Sequence, residues 1–186
     1  MNNKTLKRVG SLLAAFASLF VIAFLLSWSS HAAVEASEAL APVKGDNGKW
    51  GFIDKTGKVM IPCKWEDAWS FSEGLAPVQD DNGKWGYIDK TGKIVIPCKW
   101  KFAWKFSEGL AIVEDYNRKR GYIDKTGEVV IPCKWKFALF FSEGLATVKD
   151  DNGKSGFIDM TGKVVIPYKW EDAGNFSKDL NLDSEE

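Results

Sequence analysis

Histidine is almost absent from this chain of 186 residues, which has only one, His31. The commonest general base and the commonest metal ligand are therefore missing from the chain after residue 31. Net charge is also absent, because 25 basic residues balance 25 acidic ones. Nucleic-acid binding needs a concentrated basic face, so this balance argues against a nucleic-acid partner. We therefore expect a protein that is not an enzyme and that holds no cofactor.

Cysteine is scarce as well, with three residues at equivalent positions, namely Cys63, Cys98 and Cys133. Each lies in the motif I-P-C-K-W, where the last copy has Tyr168. The odd number and equal spacing favour free, half-buried or buried thiols. One disulfide between adjacent units, and a disulfide to another molecule, remain alternatives. The spacing is not that of a zinc site, so we expect no metal here.

Only one long hydrophobic run occurs, at residues 9–28, after Lys4, Lys7 and Arg8. Small residues come next, an order that predicts a secretory signal peptide at 1–32, cleaved after Ala32. The alternative is an uncleaved anchor, since about 20 apolar residues span a bilayer. Both interpretations place the rest of the chain outside the cytoplasm, secreted or in the periplasm or cell envelope. Membrane contact is expected only through this segment, if it is uncleaved, and residues 33–39 are interpreted as a linker.

Repetition is what this sequence has in abundance. The stretch K-W-G-Y-I-D-K-T-G-K-I-V-I-P at 84–97 has counterparts at 49–62, 119–132 and 154–167. The spacing of 35 residues is the mark of a repeat architecture. We therefore predict a repeat domain at 40–179, followed by an acidic tail at 180–186.

Each unit is predicted to be a three-stranded antiparallel meander. In the second unit the strands are 75–79, 85–89 and 93–97, and residues 98–109 form a compact connector with one helical turn. Asn82-Gly83 is typical of a hairpin turn in which both residues have positive φ. Gly92 is expected in the left-handed region, and Pro97 is expected to end the third strand.

Strand alternation predicts two apolar faces for each meander. One carries Ala76, Val78, Gly86, Ile88, Ile94 and Ile96, and the other carries Trp85, Tyr87 and Val95. A sheet that is apolar on both sides must pack against its neighbours. We therefore predict an all-β fold of four tandem units in an open stacked array, with a small β-propeller as the alternative. The positions that keep one aromatic residue in every unit are the expected core: Trp65, Trp100, Trp135 and Trp170, with Phe71, Phe106, Phe141 and Phe176.

The candidate partner-binding residues are the tryptophans whose positions vary between units: Trp50, Trp69, Trp85 and Trp104. All four lie in the first two units, where an exposed strip of indoles would dock a protein or stack on a cell-wall glycan. Packing between units is the competing interpretation. The repeated aspartates and the glutamates of F-S-E-G are interpreted as turn residues, with calcium binding as the alternative for the aspartates.

The motif K-W-G-Y/F-I-D-K-T-G-K-x-V-I-P followed by F-S-E-G-L-A-x-V resembles the WG repeat, also called the KWG repeat. The resemblance covers about residues 40–179 and implies bacterial β-strand repeats, often exported, that serve protein interaction. It brings no catalytic motif. The motif tryptophan is replaced by Arg120 and Ser155 in the last two units, so a site that depends on it is in doubt there.

Overall fold

The computed structural model describes residues 39–177, and that range is all-β. The predicted signal peptide, nearly all of the linker and the acidic tail lie outside it. Within it no helix is long and apolar enough to cross a membrane. The strands are β1 Ala41–Lys44, β2 Trp50–Ile53, β3 Val59–Trp65, β4 Asp67–Ala68, β5 Leu75–Gln79, β6 Trp85–Asp89, β7 Ile94–Trp100, β8 Phe102–Ser107, β9 Leu110–Glu114, β10 Arg120–Ile123, β11 Val129–Trp135, β12 Leu145–Lys149, β13 Ser155–Asp159 and β14 Val164–Trp170.

The strands form four antiparallel sheets, one for each sequence unit. The first sheet has the order β1-β2-β3, and the second has the order β4-β5-β6-β7. The third has the order β8-β9-β10-β11, and the fourth has β12-β13-β14. The predicted all-β fold of four tandem meanders is thus confirmed.

Two of the three connectors between units contain a strand and none contains a helical turn, so that part of the prediction was wrong. β4 pairs with β5 through Ala68 and Val78, and β8 pairs with β9 through Ala103 and Val113. Each of these two connectors therefore adds a fourth strand to the next sheet along the chain. The backbone polar groups of the connector find partners on that sheet edge, and this tertiary pairing outweighs local helical preference.

The D-N-G hairpins use a different turn from the predicted one. Gly83 has a φ of 73°, and Asn82 is not in the positive-φ region. The Gly83 N–H donates to Asp80 O at 2.9 Å, and the Asp80 N–H donates to Lys84 O at 2.9 Å. This is a three-residue loop that needs only its last residue left-handed. Arg118 takes that place in the third unit, with a φ of 60°.

The repeated aspartates of D-K-T-G organise the second turn of every unit, as predicted. Asp89 Oδ1 accepts hydrogen bonds from Thr91 Oγ1 at 2.6 Å, from the Thr91 N–H at 2.9 Å and from the Lys93 N–H at 3.1 Å. The threonine hydroxyl holds the pKa of Asp89 below its ordinary value. The same bonds recur at Asp54, Asp124 and Asp159.

Bulges in the third strand move one predicted core residue to the opposite face. Ile94 pairs with Ile88, whereas Ile96 pairs with Tyr87, so Ile96 joins the tyrosine face and alternation was wrong for it. The bulged strand crosses closely over Gly86, where an added Cβ would lie 2.5 Å from Ile96 O. Pro97 lies inside β7 and does not end it. A proline is tolerated there because β7 is an edge strand.

The hydrophobic core lies between successive sheets. Phe52, Ile61 and Trp65 of the first sheet meet Val78 and Ile88 of the second. Equivalent clusters join the second sheet to the third and the third to the fourth. Within residues 39–177, no such cluster joins the fourth sheet to the first, which agrees with the predicted open array.

The predicted aromatic core is confirmed only where a sheet has a neighbour beyond it. Trp65, Trp135, Phe106 and Phe141 are buried, and Trp100 and Phe71 are half-buried. Trp170 and Phe176 at the end of the array are 48% and 41% exposed. The same motif position is therefore core where another sheet covers it and surface where none does.

Candidate functional site

An open groove of about 400 Å³ lies beside two of the four predicted tryptophans. Trp50 of β2 and Trp69, just after β4, line it together with Lys105. Pro42, Ala68 and Ser70 complete the lining. Both indoles are half-buried, so part of each faces the groove. The groove joins aromatic surface to one cationic group, which suits a ligand with apolar faces and an acidic or polar edge.

Trp69 is fixed in this groove by its backbone and by its ring. Its N–H donates to Pro77 O at 3.0 Å, which holds the connector against β5. Its ring packs edge-on against Trp85 at 5.8 Å and Phe102 at 5.4 Å between centroids. This packing presents the remaining indole surface in one orientation, so a ligand would meet a preorganised wall.

Trp85 lies underneath this surface and is 2% exposed. It packs against Phe102 with ring centroids 4.8 Å apart, in the cluster between the second and third sheets. The structure therefore brings Trp50 and Trp69 together at the groove and places Trp85 against Trp69 as support. Partner binding by these residues stays a prediction, and Trp85 itself is not accessible to a partner.

Trp104 belongs to a neighbouring cluster. Its ring lies 4.5 Å from that of Phe102, and the Arg120 guanidinium carbon lies 4.6 Å from its centroid. Arg120 also lies 5.7 Å from the Phe137 ring and pairs with Glu114 at 3.3 Å. Arg120 thus occupies the repeat position of Trp85 and stacks between the equivalent neighbours, Trp104 and Phe137. In the sequence this replacement indicated the loss of a tryptophan site, although the phenylalanines at the equivalent positions 102 and 137 were a signal that its ring neighbours are kept.

A second depression, of about 280 Å³, was not predicted. It lies between the third and fourth sheets, and its wall includes the aromatic residues Trp135 and Tyr168. The Trp135 indole N–H donates to Tyr168 Oη at 3.2 Å. The remaining lining is charged, with Lys134, Lys149, Asp150 and Asp151. The mixed charges give it no strong preference for an anion or a cation.

A pair of exposed aliphatic residues lies at the start of the third strand of every unit. The pairs are Val59 and Met60, Ile94 and Val95, Val129 and Val130, and Val164 and Val165, which are 38–55% exposed. Each pair lies on a strand at the outer edge of its sheet. Repeated apolar surface of this kind is typical of protein-contact sites. The strand alternation predicted packing for Ile94 and Val95, and their exposure was not predicted.

Two tyrosines and two cysteines have pKa values that burial raises. Burial raises the pKa of both Tyr87 and Tyr122, whose hydroxyls donate to backbone oxygens at 2.7 Å. Burial raises the pKa of Cys98 and Cys133 to about 11, and all three cysteines are free, as favoured from the sequence. Residues 39–177 contain no group of three or more histidine, cysteine, aspartate or glutamate side chains arranged for a metal.

These features define a class of protein, an all-β repeat module whose four similar sheets present apolar and aromatic contact surface of the kind used in protein interaction. The chain belongs to the WG containing repeat family, whose model matches residues 50–85, 85–118, 121–154 and 156–180. These four matches confirm the resemblance drawn from the sequence.

Several solved structures resemble the chain at low identity. They include the computationally designed Ika8 protein, with 10% identity and a TM-score of 0.48, covering 69% of this chain and 45% of that one. The WD40 β-propeller domain of Doa1 has 12% identity and a TM-score of 0.40, with coverage of 69% and 50%. The structure of HIRA(644-1017) has 9% identity and a TM-score of 0.42, with coverage of 63% and 43%. The chain spans half or less of the length of each. No curated protein matches the sequence.

Proposed function

We propose that this chain is a non-catalytic binding module that is exported and engages a protein partner at the bacterial cell envelope. The observation that carries the proposal is the exposed aliphatic pair on the outer edge strand of each unit. Aliphatic side chains gain most by burial against another apolar surface, as in the core of a protein interface. Four copies at a fixed repeat spacing suit an extended partner.

Export is supported by the sequence order at 1–32, which is charged, then apolar, then small. The expected mature protein begins at Ala33 and is found in the envelope or medium. Amino-terminal sequencing of the protein isolated from those fractions checks this. An intact amino terminus there would favour the anchor, and recovery only from the cytoplasm would contradict export.

A second candidate function is binding of cell-wall glycan, and the groove favours it. Trp50 and Trp69 line one open cleft beside Lys105, and planar indoles stack on sugar rings. The lysine would pair with an acidic substituent on the glycan. In this alternative the edge strands contribute little, so the two functions depend on different residues.

One binding experiment separates the two. The chain is titrated with solubilised envelope proteins, before and after protease digestion, and with purified cell-wall glycan fragments. A protein partner predicts protease-sensitive binding that Val95→Ser with Val130→Ser weakens. A glycan ligand predicts protease-resistant binding that Trp50→Ala with Trp69→Ala abolishes. Tyr116→Ala, at an exposed aromatic away from both surfaces, is the control and should change neither.

The non-catalytic part of the proposal has its own check. Incubation of the chain with the same glycan and protein fractions should release no product detectable by mass spectrometry. Time-dependent product release that scales with protein concentration would contradict it.

A further inference from the structure

The two ends of the array are complementary to each other. Within the chain, each sheet presents a tyrosine face to the next sheet and receives it on an alanine face. On the second sheet these faces carry Tyr87 and Ile96 on one side, and Ala76, Val78 and Ile88 on the other. The first sheet has an alanine face with no preceding sheet in residues 39–177, and the fourth has a tyrosine face with no sheet after it in that range. These are called the head face and the tail face.

The head face consists of Ala41, Val43, Ile53 and Cys63. Ala41 is exposed and the other three are half-buried. At the equivalent positions in the later sheets, the alanines, valines and isoleucines are 0% exposed. The first sheet therefore leaves open the surface that every later sheet covers with a neighbour.

The tail face consists of Leu145, Ile166 and Trp170 around Phe157. Trp170 is 48% exposed, whereas its counterparts Trp65 and Trp135 are 5% and 4% exposed and Trp100 is half-buried. Ile166 is half-buried, whereas its counterparts Ile61, Ile96 and Ile131 are at most 1% exposed. Phe176 packs over Phe157 at 4.9 Å, as Phe141 packs over Tyr122 at 4.8 Å. The tail face therefore carries the same kinds of side chain that each inner sheet packs against the next sheet.

The internal interfaces show what these two faces fit. Gly127 and Gly162 place their backbone against Ile96 and Ile131 of the preceding sheet, where an added Cβ would lie 3.0 and 2.9 Å from the isoleucine. Nothing lies within 4 Å of that point at Gly57 on the head face. Ile166 has the chemistry and the repeat position to fill that space.

Ion pairs between successive units follow the same pattern as the apolar contacts. Lys49 pairs with Asp81 at 2.8 Å, and Lys119 pairs with Asp151 at 3.4 Å, each from one unit to the next. The equivalent lysine at the tail is Lys154, which pairs with Glu171 of its own chain just as Lys49 also pairs with Glu66, and the equivalent aspartate at the head is Asp46. Opposite charges therefore stand at matching positions on the two ends.

We propose that the tail face of one copy binds the head face of a second copy of this chain, in the geometry that joins successive sheets within one chain. Ile166 then packs on Gly57 of the second copy, and Trp170 packs beside its Cys63. Lys154 pairs with its Asp46. Residues 171–174 extend along β1 of the second copy, as β4 and β8 extend along β5 and β9. Such a head-to-tail interface makes a closed ring if its rotation closes, and a filament if it does not.

A photo-crosslinking residue at position 166 tests this in the full chain, in the cells that produce it. The expected product is a cross-linked dimer, with the second copy joined near Gly57. Cross-links confined to the same chain, in residues 1–38 or 178–186, would overturn the proposal, because the chain's own ends would then cover the faces.

Self-association measured between two differently tagged copies of the full chain gives the second test. Trp170→Asp should weaken it by about ten-fold or more, because a central aromatic anchor is removed and a charge is buried. Tyr116→Asp, an exposed aromatic in a mid-array turn, should leave it unchanged. Equal association of the two variants would overturn the proposal. Association through the apolar amino-terminal segment would give that result, because neither substitution changes that segment.

A charge exchange tests the same interface independently, in case the Trp170 variant is misfolded. Asp46→Lys and Lys154→Asp should each weaken self-association a few-fold, and the two changes together should restore it. The matched control exchanges Lys119 and Asp151, which pair within one chain. That exchange should not alter self-association. Failure of the double exchange to restore association would contradict the proposed register.

Discussion

The inner sheets and the end sheets of this molecule have nearly the same sequence motif and quite different environments. Ile96 on the second sheet is completely buried, whereas Ile166 on the fourth is half-buried. The inner connectors carry Phe102 and Phe137, which pack against Trp85 and Arg120. The segments that follow the first and the fourth sheet carry two acidic residues at these positions, Glu66-Asp67 and Glu171-Asp172. Asp172 pairs with Lys149 at 3.1 Å. The core of a repeat protein is thus a property of the interfaces between units, and a terminal unit has only half of it.

The sharpest way to test this comparison is to remove the same side chain from an inner and an end sheet. Ile96→Ala should lower the free energy of unfolding by about 2–5 kcal/mol, because it leaves a cavity in the packed interface. Ile166→Ala should cost well under half of that, since its site is open on one side. Urea unfolding followed by tryptophan fluorescence measures both. Equal losses would show that the end face is covered in solution.

The glycine beneath the bulged strand provides the second contrast. At Gly86 an added Cβ would lie 2.5 Å from Ile96 O and 2.7 Å from the Cys98 nitrogen, and these backbone atoms cannot rotate away. We expect Gly86→Ala to cost about 1–3 kcal/mol from overpacking. Gly174→Ala is the control at the end of the array, where nothing lies within 4 Å. Its unfolding midpoint should stay within error of the unmodified chain.

The repeat and the three meander strands of each unit could be predicted because they depend on local signals. Turn residues and alternation are both visible in the sequence. The face of Ile96 could not be predicted, because a bulge shifts the register by one residue and leaves no mark in the residue pattern. The sequence left open whether Trp85 is buried or exposed for a related reason, since its cover, Trp69 and Phe102, comes from two different connectors.

The glutamates of F-S-E-G give a smaller effect that also depends on position in the array. The Glu108 carboxylate accepts hydrogen bonds from the Glu143 N–H at 2.8 Å and the Gly144 N–H at 3.0 Å, in the next unit. The sequence predicted only a turn here, and the φ of 51° at Glu108 agrees with a turn. These hydrogen bonds between units were not predicted.

Glu108→Ala should lower the free energy of unfolding by about 1–2 kcal/mol, since two backbone donors lose a charged acceptor. Glu128→Ala, at an exposed side chain of the same unit, is the matched control and should change stability little. Hydrogen exchange of the Glu143 and Gly144 amides measures the protection that these two hydrogen bonds provide. Unchanged protection of these amides in Glu108→Ala would refute its role.

The smallest expected effect compares one interface with the other two. The Trp135 indole N–H has an acceptor in Tyr168 Oη, whereas the equivalent nitrogens of Trp65 and Trp100 are buried without a partner. The residues at the acceptor position there are Cys98 and Cys133. Tyr168→Phe should therefore cost about 0.5–1.5 kcal/mol, the worth of one hydrogen bond. It would make the third interface resemble the other two.

The converse change makes this prediction sharper. Cys133→Tyr offers the Trp100 indole the acceptor that Trp135 already has, so it should raise stability by up to about 1 kcal/mol where the ring fits the half-buried site. Indole N–H chemical shifts should report the new bond, and Tyr116→Phe, at an exposed phenol, should change neither shift nor stability. If Tyr168→Phe proves neutral, the unpartnered indoles of the first two interfaces carry no penalty, and cysteine and tyrosine are equivalent at this position.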